Sequence, residues 1–275
     1  MKRTIFLIVA LLMIFHTSSA RKFNWACDAM DGSRTGCVAP SVENVKEALG
    51  SFDGSTYIAP NGKRFSGRTS VARMARCVID AQPAMARVKE IIGYSTKVMN
   101  KAYPESPLTN WFIDLYMEEV SRMFGVKVDI GVANFGGVRV DMPQGDIQLD
   151  DILSMFPFKN KIAYIEHKGL TIRKMLESMA EDGFQILGGV RVVAENGRLV
   201  QVEVGGEPLD DERIYGVVSN SFLLQGGDGL YLARDAVDMK IFEYDLKDAV
   251  LEGIRRRTAS GQPLSADIDG RVVIR

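Results

Sequence analysis

From about residue 70 onward, the spacing of hydrophobic residues switches repeatedly between a helical and a strand-like period. Apolar residues three and four positions apart predict helices, and strict alternation predicts half-buried strands. The helical spacing predicts helices beginning near Thr69 and Thr171 and over residues 108–123, 150–155 and 245–257. The alternating spacing predicts strands at residues 126–133, 161–167 and 271–274, and a hairpin of residues 190–194 with 199–204 across Asn196-Gly197. Loops at the ends of such strands are where binding groups are expected.

Residues 21–91 show weaker periodicity and many turn residues, and they are interpreted as an N-terminal lead segment with helices. A short helix is predicted over residues 42–49. Pro83 is expected to separate two helices because proline cannot continue the backbone hydrogen bonding, and the second of them is predicted to include Ile91 and Ile92. The lead segment is expected to pack on a main body formed by residues 92–275.

Residues 1–20 have the pattern of a signal peptide: Lys2-Arg3, an uncharged apolar run, and small residues ending at Ala20. The apolar run is too short to span a bilayer. Export to the periplasm or the medium is predicted, with a mature start near Arg21 and no membrane span in the mature form; an uncleaved anchor is the alternative.

In an exported protein, Cys27 and Cys37 could form a disulfide that closes a ten-residue loop. The alternative is that both thiols are unpaired. Cys77 would then be free and is expected to be buried on a helix. The 275-residue chain is 46% hydrophobic and 25% charged with a net charge of −1, so it has no general attraction to a nucleic-acid polymer.

The stretch from Val217 to Tyr231 carries the most distinctive candidate chemistry. An apolar run stops at Ser219-Asn220-Ser221, and after Phe222 the chain passes through Gly226-Gly227-Asp228-Gly229. Glycines permit positive φ and close backbone approach, so Asp228 is presented on a bare, tight loop. A carboxylate in that position is suited to holding the two hydroxyls of a ribose. The alternative is a surface turn with a solvated aspartate.

A second cluster follows the strand that ends near residue 133. Asn134 supplies an amide with donor and acceptor, and Arg139 supplies a guanidinium; a turn asparagine and a surface arginine are the alternative interpretation. Phe158, directly after Pro157, is the better candidate for an exposed ring than Phe156. If Phe158 and Phe222 face each other, they can sandwich a flat heterocycle, worth roughly 1–3 kcal/mol per stacked base.

These motifs, in this order, resemble the C-terminal domain of 5′-nucleotidases and UDP-sugar hydrolases, over a region from about Ile92 to the C-terminus. The resemblance implies an α/β (α+β) fold with mixed β-sheets layered with helices. It also implies base stacking by Phe158 and Phe222, ribose binding by Asp228 beside Gly226 and Gly227, and polar contacts by Asn134 and Arg139. A further family arginine is aligned with Arg122. Phe135 departs from the family, which usually has glycine there, and its ring is expected to crowd the pocket or alter base preference.

In the family that the sequence resembles, hydrolysis belongs to a separate N-terminal metallophosphoesterase domain with two metals held by histidines and aspartates. This chain has two histidines, His16 within the signal peptide and His167, which is expected to be a surface or core residue. No catalytic residue, metal ligand or cofactor is therefore assigned to this chain, and divalent metals are expected only in a catalytic partner.

Three functions remain open at this point. The chain is interpreted first as the specificity half of a split, exported 5′-nucleotidase that binds a nucleoside or nucleotide and is completed by a separate metallophosphoesterase chain. The alternative is a non-catalytic scavenger or sensor of nucleosides. Whether the chain is an enzyme by itself stays uncertain, and the small number of histidines argues against it.

Overall fold

The structure, a computed structural model, describes residues 43–275. The chain divides into two compact units, residues 1–79 and 80–275, so the division falls inside the predicted lead segment. The described part of the first unit contains helix α1 (Val45–Leu49) and an antiparallel sheet of β1 (Ser51–Asp53), β2 (Thr56–Ile58) and β3 (Arg64–Ser66). The predicted signal peptide and the Cys27–Cys37 loop lie outside the described residues.

Two predictions about the region around Pro83 are wrong. Helix α2 (Ser70–Met85) contains Pro83 instead of ending before it, and a 3₁₀ turn (Ala86–Lys89) follows. Pro83 is in the last turn of α2, so its missing N–H leaves the Ile79 carbonyl without its helical donor, and the helix continues for only two more residues. Residues 91 and 92 belong to strand β4 (Ile91–Ser95), because so short an apolar run fits either period.

Cys77, on α2, is exposed and free, whereas burial was expected. The helix does have apolar residues at helical spacing, but Val71 and Met74 are also exposed, with 47% and 66% of their surface accessible. The spacing therefore indicated the helix correctly and its buried face incorrectly, since only contacts with the rest of the molecule determine which face is covered.

The second unit is organised around a five-stranded mixed sheet with the strand order β13-β7-β12-β5-β8. Its strands are β5 (Ile130–Ala133), β7 (Lys161–Lys168), β8 (Ile186–Gly188), β12 (Ile214–Asn220) and β13 (Asp238–Asp245). Strands β5 and β12 are parallel, and every other pairing in this sheet is antiparallel. The prediction of a strand from residue 126 was too long, because β5 begins at Ile130.

Helices cover both faces of this sheet. Adjacent residues of β12 enter different cores: Val218 joins the cluster with α3 (Pro107–Phe124) and α6 (Leu246–Ala259), while Val217 joins the cluster with α5 (Gly169–Asp182). Successive side chains of a strand point to opposite faces, so the sheet is buried on both sides. The expected fold class, mixed sheets layered with helices, is confirmed.

Smaller sheets complete the second unit. Strands β9 (Val190–Glu195) and β10 (Arg198–Val204) form the predicted hairpin, with Asn196 and Gly197 both at positive φ, as a tight hairpin turn requires. Strands β11 (Glu207–Pro208) and β14 (Val272–Ile274) extend that hairpin to four strands. Strand β4 pairs with β6 (Gly145–Gln148), which leads into α4 (Leu149–Met155).

Helix α3 shows how local sequence sets an element. Ser106 caps its first turn by accepting a hydrogen bond from the Thr109 N–H, Pro107 occupies the first helical position, and Gly125 ends the helix at φ 65°. Leu108, Trp111, Phe112 and Leu115 are all buried beneath the central sheet. The predicted helix over residues 108–123 is confirmed within one residue at each end.

Three chain segments meet at one edge of the central sheet. Asn134 follows the end of β5, and Asn220 is the last residue of the parallel strand β12. Strand β7 runs the other way, so its first residues lie at the same edge, with Ile162 opposite Asn220.

Within residues 43–275, none of the helices combines the length and the apolar character that crossing a membrane requires.

Candidate functional site

Two loops that are distant in sequence meet through Asn134 and Asp228. The Nδ2 of Asn134 donates a 2.8 Å hydrogen bond to Oδ2 of Asp228, across 94 residues of chain. Asn134 is buried, whereas Asp228 is exposed and adopts a left-handed conformation at φ 48°. The other carboxylate oxygen has no donor among the described residues, so it is open to a ligand hydroxyl.

Asn220 fixes the start of the loop that carries Phe222. Its side-chain oxygen accepts hydrogen bonds from the N–H groups of Phe222, at 3.1 Å, and of Leu223, at 3.3 Å. Leu223 is buried, but 45% of the Phe222 surface is accessible. Asn220 therefore caps the short helical turn and fixes the backbone of Phe222, while the phenyl ring of Phe222 stays at the surface.

Gly226 and Gly227 are required because aromatic rings lie against their backbones. A methyl group at Gly227 would stand 2.4 Å from the Phe222 carbonyl oxygen and 2.6 Å from a carbon of its ring, and one at Gly226 would stand 2.9 Å from the ring of Tyr231. Gly226 is also at φ 104°, a conformation that side chains rarely adopt. The glycines thus hold Phe222 close to the loop that presents Asp228.

Phe158 lies on the loop that leads into β7. Its ring is 45% accessible, while Phe156 is buried and packs on Phe112 with the ring centroids 4.7 Å apart. The guanidinium of Arg139 lies 5.8 Å from the Phe158 ring centroid, and its Nη1 donates to the Gly136 carbonyl at 3.3 Å. Arg139 and Phe158 are therefore neighbours at the surface of the site.

A hydrogen bond links the loop that carries Phe158 to the loop that carries Phe222. The N–H of Lys161, three residues after Phe158, donates to the hydroxyl of Ser221, directly before Phe222, at 3.0 Å. Asn134, Arg139, Phe158, Phe222 and Asp228 thus surround one edge of the central sheet.

A small cleft of about 20 Å³ beside these loops has an apolar floor and amide groups around it, and Arg139, Phe222 and Asp228 are not part of its lining. Its lining comprises Phe112, Ala133, Asn134, Gly137, Phe156, Phe158, Asn160, Asn220 and Leu246. Sequence reasoning did not assign Asn160 and Asn220, and it placed Phe112 only in the core. The signal for Asn220 was present, because an asparagine that directly follows an apolar strand and precedes a short helix is a typical cap.

Asp245 and Lys161 supply charge beside the cleft. Burial by itself raises the pKa of the Asp245 carboxyl, but hydrogen bonds from Lys161 and Lys247 outweigh burial and lower that pKa. The aspartate therefore stays ionised next to two ammonium groups, and this balanced cluster precedes Leu246 in the cleft wall. No group of three or more His, Cys, Asp or Glu side chains that could hold a metal lies within residues 43–275.

Arg122 does not join this site, contrary to the sequence alignment. It forms ion pairs with Glu119 at 2.8 Å and Glu252 at 3.7 Å, in a groove beside Phe124 and Arg255. Phe112 lines the cleft, and Arg122 lies ten residues further along the same helix, or about 15 Å. The rise of α3 thus carries Arg122 away from the cleft.

Phe135 also differs from its expected role. Its ring packs on Tyr103, with the centroids 5.8 Å apart, and its N–H donates to Gln185 at 3.1 Å. Both aromatic side chains line a neighbouring groove with Phe184, and Phe135 is not part of the cleft wall. The ring therefore does not crowd the cleft.

The fold is a mixed α/β domain with a cleft at the ends of two parallel strands. Residues 84–234 match the family described as "5'-nucleotidase, C-terminal domain". The chain belongs to this family.

Similar proteins are found in bacteria and insects. The chain is 26% identical over 214 residues to an apyrase of Tabanus yao, covering 67% of this chain and 38% of that protein. It is 30% identical over 118 residues to a 5'-nucleotidase of Vibrio cholerae, covering 41% of this chain and 21% of that protein. The chain thus spans less than half the length of these relatives.

Solved structures show the same fold. A 5'-nucleotidase precursor from Thermus thermophilus matches with a TM-score of 0.64 and 25% identity, over 79% of this chain and 45% of that chain. An NAD nucleotidase from Haemophilus influenzae matches with a TM-score of 0.57 and 20% identity, over 80% of this chain and 47% of that chain.

Proposed function

We propose that the cleft binds a nucleoside or nucleotide, with the base between Phe158 and Phe222 and the ribose hydroxyls on Asp228. The observation that carries this proposal is the hydrogen bond from Asn134 to Asp228, which joins the two loops. Because Nδ2 of Asn134 is engaged there, Asn134 orients the carboxylate, and Asn160, which also lines the cleft, is better placed for other polar contacts. Arg139, beside Phe158, would reach a hydroxyl or a phosphate.

Calorimetric titration of the purified chain with adenosine tests the pocket. Phe222→Leu, Phe158→Leu and Asp228→Asn are each expected to weaken binding by about tenfold, the equivalent of one lost stack or one charge-assisted hydrogen bond. Asparagine tolerates the left-handed conformation at residue 228, so Asp228→Asn removes charge without backbone strain.

Two matched variants control for general surface effects in this titration. Tyr94→Leu removes an exposed ring elsewhere in the second unit, and Asp235→Asn changes another aspartate at positive φ. Both should bind adenosine like the original chain. Adenosine affinity unchanged in all three cleft variants would refute the pocket.

We further propose that this chain is the specificity half of a split 5′-nucleotidase. In this proposal a separate metallophosphoesterase chain holds the divalent metals and completes phosphate-monoester hydrolysis in nucleotide catabolism. Two findings support it: the family match is to a C-terminal domain, and only two histidines occur in the 275 residues, one of them His16.

Phosphate release from AMP with added divalent metal distinguishes the possibilities. The chain alone should release no phosphate, and a phosphoesterase encoded beside it should do so efficiently only when this chain is present. Phe222→Leu should raise the KM of the reconstituted pair more than it lowers kcat, because the ring contacts the base and not the phosphate. Robust hydrolysis by the isolated chain would overturn the split-enzyme proposal.

A nucleoside scavenger or sensor is the second candidate, since every side chain that we assign to the pocket comes from this one chain. Tight adenosine binding, with no phosphoesterase giving turnover, would favour it. Both functions place the protein outside the cytoplasm, through the proposed signal peptide at residues 1–20. N-terminal sequencing of the exported protein should give a start near Arg21.

A further inference from the structure

A second cleft lies on the α5 side of the central sheet, between α5 and the segment from Gly229 to Asp235. We name it the α5 cleft. Its volume is about 260 Å³, which is near the lower end for pockets that hold small organic ligands. Its lining comprises His167, Thr171, Ile172, Lys174, Met175, Ser178, Gly229, Leu230, Tyr231, Leu232, Arg234 and Asp235. It shares no lining residue with the cleft lined by Asn134, Phe158 and Asn220, which we call the nucleoside cleft after its proposed ligand.

The wall opposite α5 is held by backbone hydrogen bonds. The N–H groups of Leu232 and Ala233 donate to the carbonyls of Leu223 and Leu224, at 3.1 and 3.2 Å. The N–H of Arg234 donates to the Tyr231 carbonyl at 2.9 Å, which closes a tight turn. The guanidinium of Arg234 then lies 4.8 Å from the Tyr231 ring centroid. The arginine is thereby oriented before any ligand arrives.

The charged groups of the α5 cleft favour an anion. Lys174 and Arg234 contribute two positive charges and Asp235 one negative charge, which leaves one net positive charge in the lining. Within the described part of the chain, neither Lys174 nor Arg234 has a carboxylate at ion-pair distance. Other basic side chains near α5, such as Lys168 and Arg173, do have one. Two cations without partners at one concave surface are suited to a phosphate or carboxylate.

His167 lies at the floor of the α5 cleft and supplies a second sign of a ligand. Only 2% of its surface is accessible, and its Nε2 lies 2.9 Å from the Leu232 carbonyl oxygen. With the proton on Nε2, the Nδ1 atom is a buried acceptor that has no hydrogen-bond partner among residues 43–275. A buried acceptor without a donor is costly, and a hydroxyl or amide on the body of a bound ligand, apart from its anionic group, would satisfy it.

We propose that the α5 cleft binds a small organic anion, a phosphate or carboxylate attached to an apolar body. The anionic group lies between Lys174 and Arg234, and the apolar body packs against Met175, Leu230 and Tyr231. Aromatic and thioether side chains provide the contact surface for that body. The site is separate from the nucleoside cleft, so this proposal holds or fails independently of the proposed function.

The imidazole of His167 gives a direct readout, because the only other histidine is His16. Phenyl phosphate and benzoate are titrated into the full chain at constant near-neutral pH while the His167 ring resonances are followed by NMR. Both anions should shift the ring resonances saturably, whereas the neutral benzyl alcohol should bind at least about fivefold more weakly. The phosphate and carboxylate arms show which anionic group the cleft prefers.

Variants assign the response to the cleft. Lys174→Gln and Arg234→Gln should each weaken phenyl phosphate binding on the order of fivefold, as expected for loss of one partly exposed charge contact. Arg198→Gln, an exposed arginine on the β9–β10 hairpin, should leave the binding unchanged. Phe222→Leu should also leave it unchanged, which excludes binding in the nucleoside cleft as the cause.

Two results would overturn the proposal. One is a His167 ring that does not respond to either anion, or that responds equally to benzyl alcohol. The other is a response that survives both Lys174→Gln and Arg234→Gln. Melting curves of the variants verify that each one is folded before its titration is interpreted.

Discussion

At the scale of single residues, the geometry of the nucleoside cleft depends on side chains that a ligand need not touch. Asn134 holds Asp228, and Asn220 caps the backbone at Phe222. The amide of Asn220 also lies 3.5 Å from the Asn134 side-chain oxygen, so the three residues form a connected set. Such a set keeps a carboxylate and an aromatic ring in place before binding, which lowers the entropy cost of binding.

Gly227→Ala should weaken adenosine binding by about tenfold, because the added methyl group cannot coexist with the present positions of the Phe222 carbonyl and ring, so both must move. Overpacking of this kind costs about 1–3 kcal/mol, so a modest loss of stability is also expected. Calorimetry measures the affinity and urea denaturation measures the free energy of unfolding.

Gly229→Ala is the matched control on the same loop. Gly229 has positive φ but open space around the added methyl group, so only backbone strain of about 1–2 kcal/mol is introduced. If both variants bind adenosine equally well, the contact between Gly227 and Phe222 does not position the ring.

His167 should make the stability of the chain depend on pH. Burial lowers the pKa of its imidazole, against the opposing influence of the Leu232 and Asp235 backbones and of the Asp235 charge. The unfolded chain therefore binds a proton more readily than the folded one. The stabilisation is fully present above about pH 6.5 and is lost as the pH falls toward the lower, folded-state pKa.

Urea denaturation at a series of pH values measures this effect. The free energy of unfolding should fall below about pH 6.5 more steeply in the original chain than in His167→Gln, which has no proton to bind. Parallel curves for the two proteins would show that His167 does not titrate differently on folding.

At the scale of elements, α3 and α6 are joined by a network of charges under the surface. Glu119 on α3 is fully buried, and it receives hydrogen bonds from Arg256 at 2.7 Å and Arg122 at 2.8 Å. Arg256 and Arg257 both reach Glu118, where burial raises the carboxyl pKa but hydrogen bonds from the two arginines outweigh it and lower that pKa. The pair of helices therefore depends on satisfied buried charge as well as on apolar contact.

Arg256→Met should lower the free energy of unfolding by about 2–3 kcal/mol, because it leaves the buried Glu119 carboxylate with one partner fewer. Arg255→Met is the adjacent control: Arg255 is exposed and its loss should change stability by less than about 0.5 kcal/mol. Urea denaturation compares them. Equal stability of the two variants would show that the network contributes nothing beyond surface charge.

At the scale of the whole molecule, the nucleoside-binding proposal requires no metal in this chain. We therefore expect that a chelator such as EDTA changes neither the adenosine affinity nor the melting temperature of the purified chain. In the reconstituted pair, the same treatment should abolish phosphate release, because the split-enzyme proposal assigns the metals to the catalytic partner. A melting temperature that drops on chelation, and recovers with added divalent metal, would contradict this division of roles.

The sequence anticipated most elements of the second unit because their signals are local. Helix α3 has its cap, its proline and its terminal glycine within the helix and its two flanking residues, and the β9–β10 hairpin has Asn-Gly at its turn. The predictions from sequence were wrong where the local pattern is weak or where the outcome depends on tertiary contacts. Residues 91–92 fit either period, and Cys77 lies on a helix whose covered face no local pattern specifies.

The sequence by itself determined the family, the main helices, the β9–β10 hairpin and the candidate loops, since each rests on residues that are close together in the chain. Only the tertiary structure decided which of the candidates meet. It joined Asn134 to Asp228 across 94 residues, moved Arg122 to another groove through the rise of α3, and turned Phe135 toward Tyr103. It alone assembled the α5 cleft, because a concave surface is made by packing segments that have no common sequence pattern.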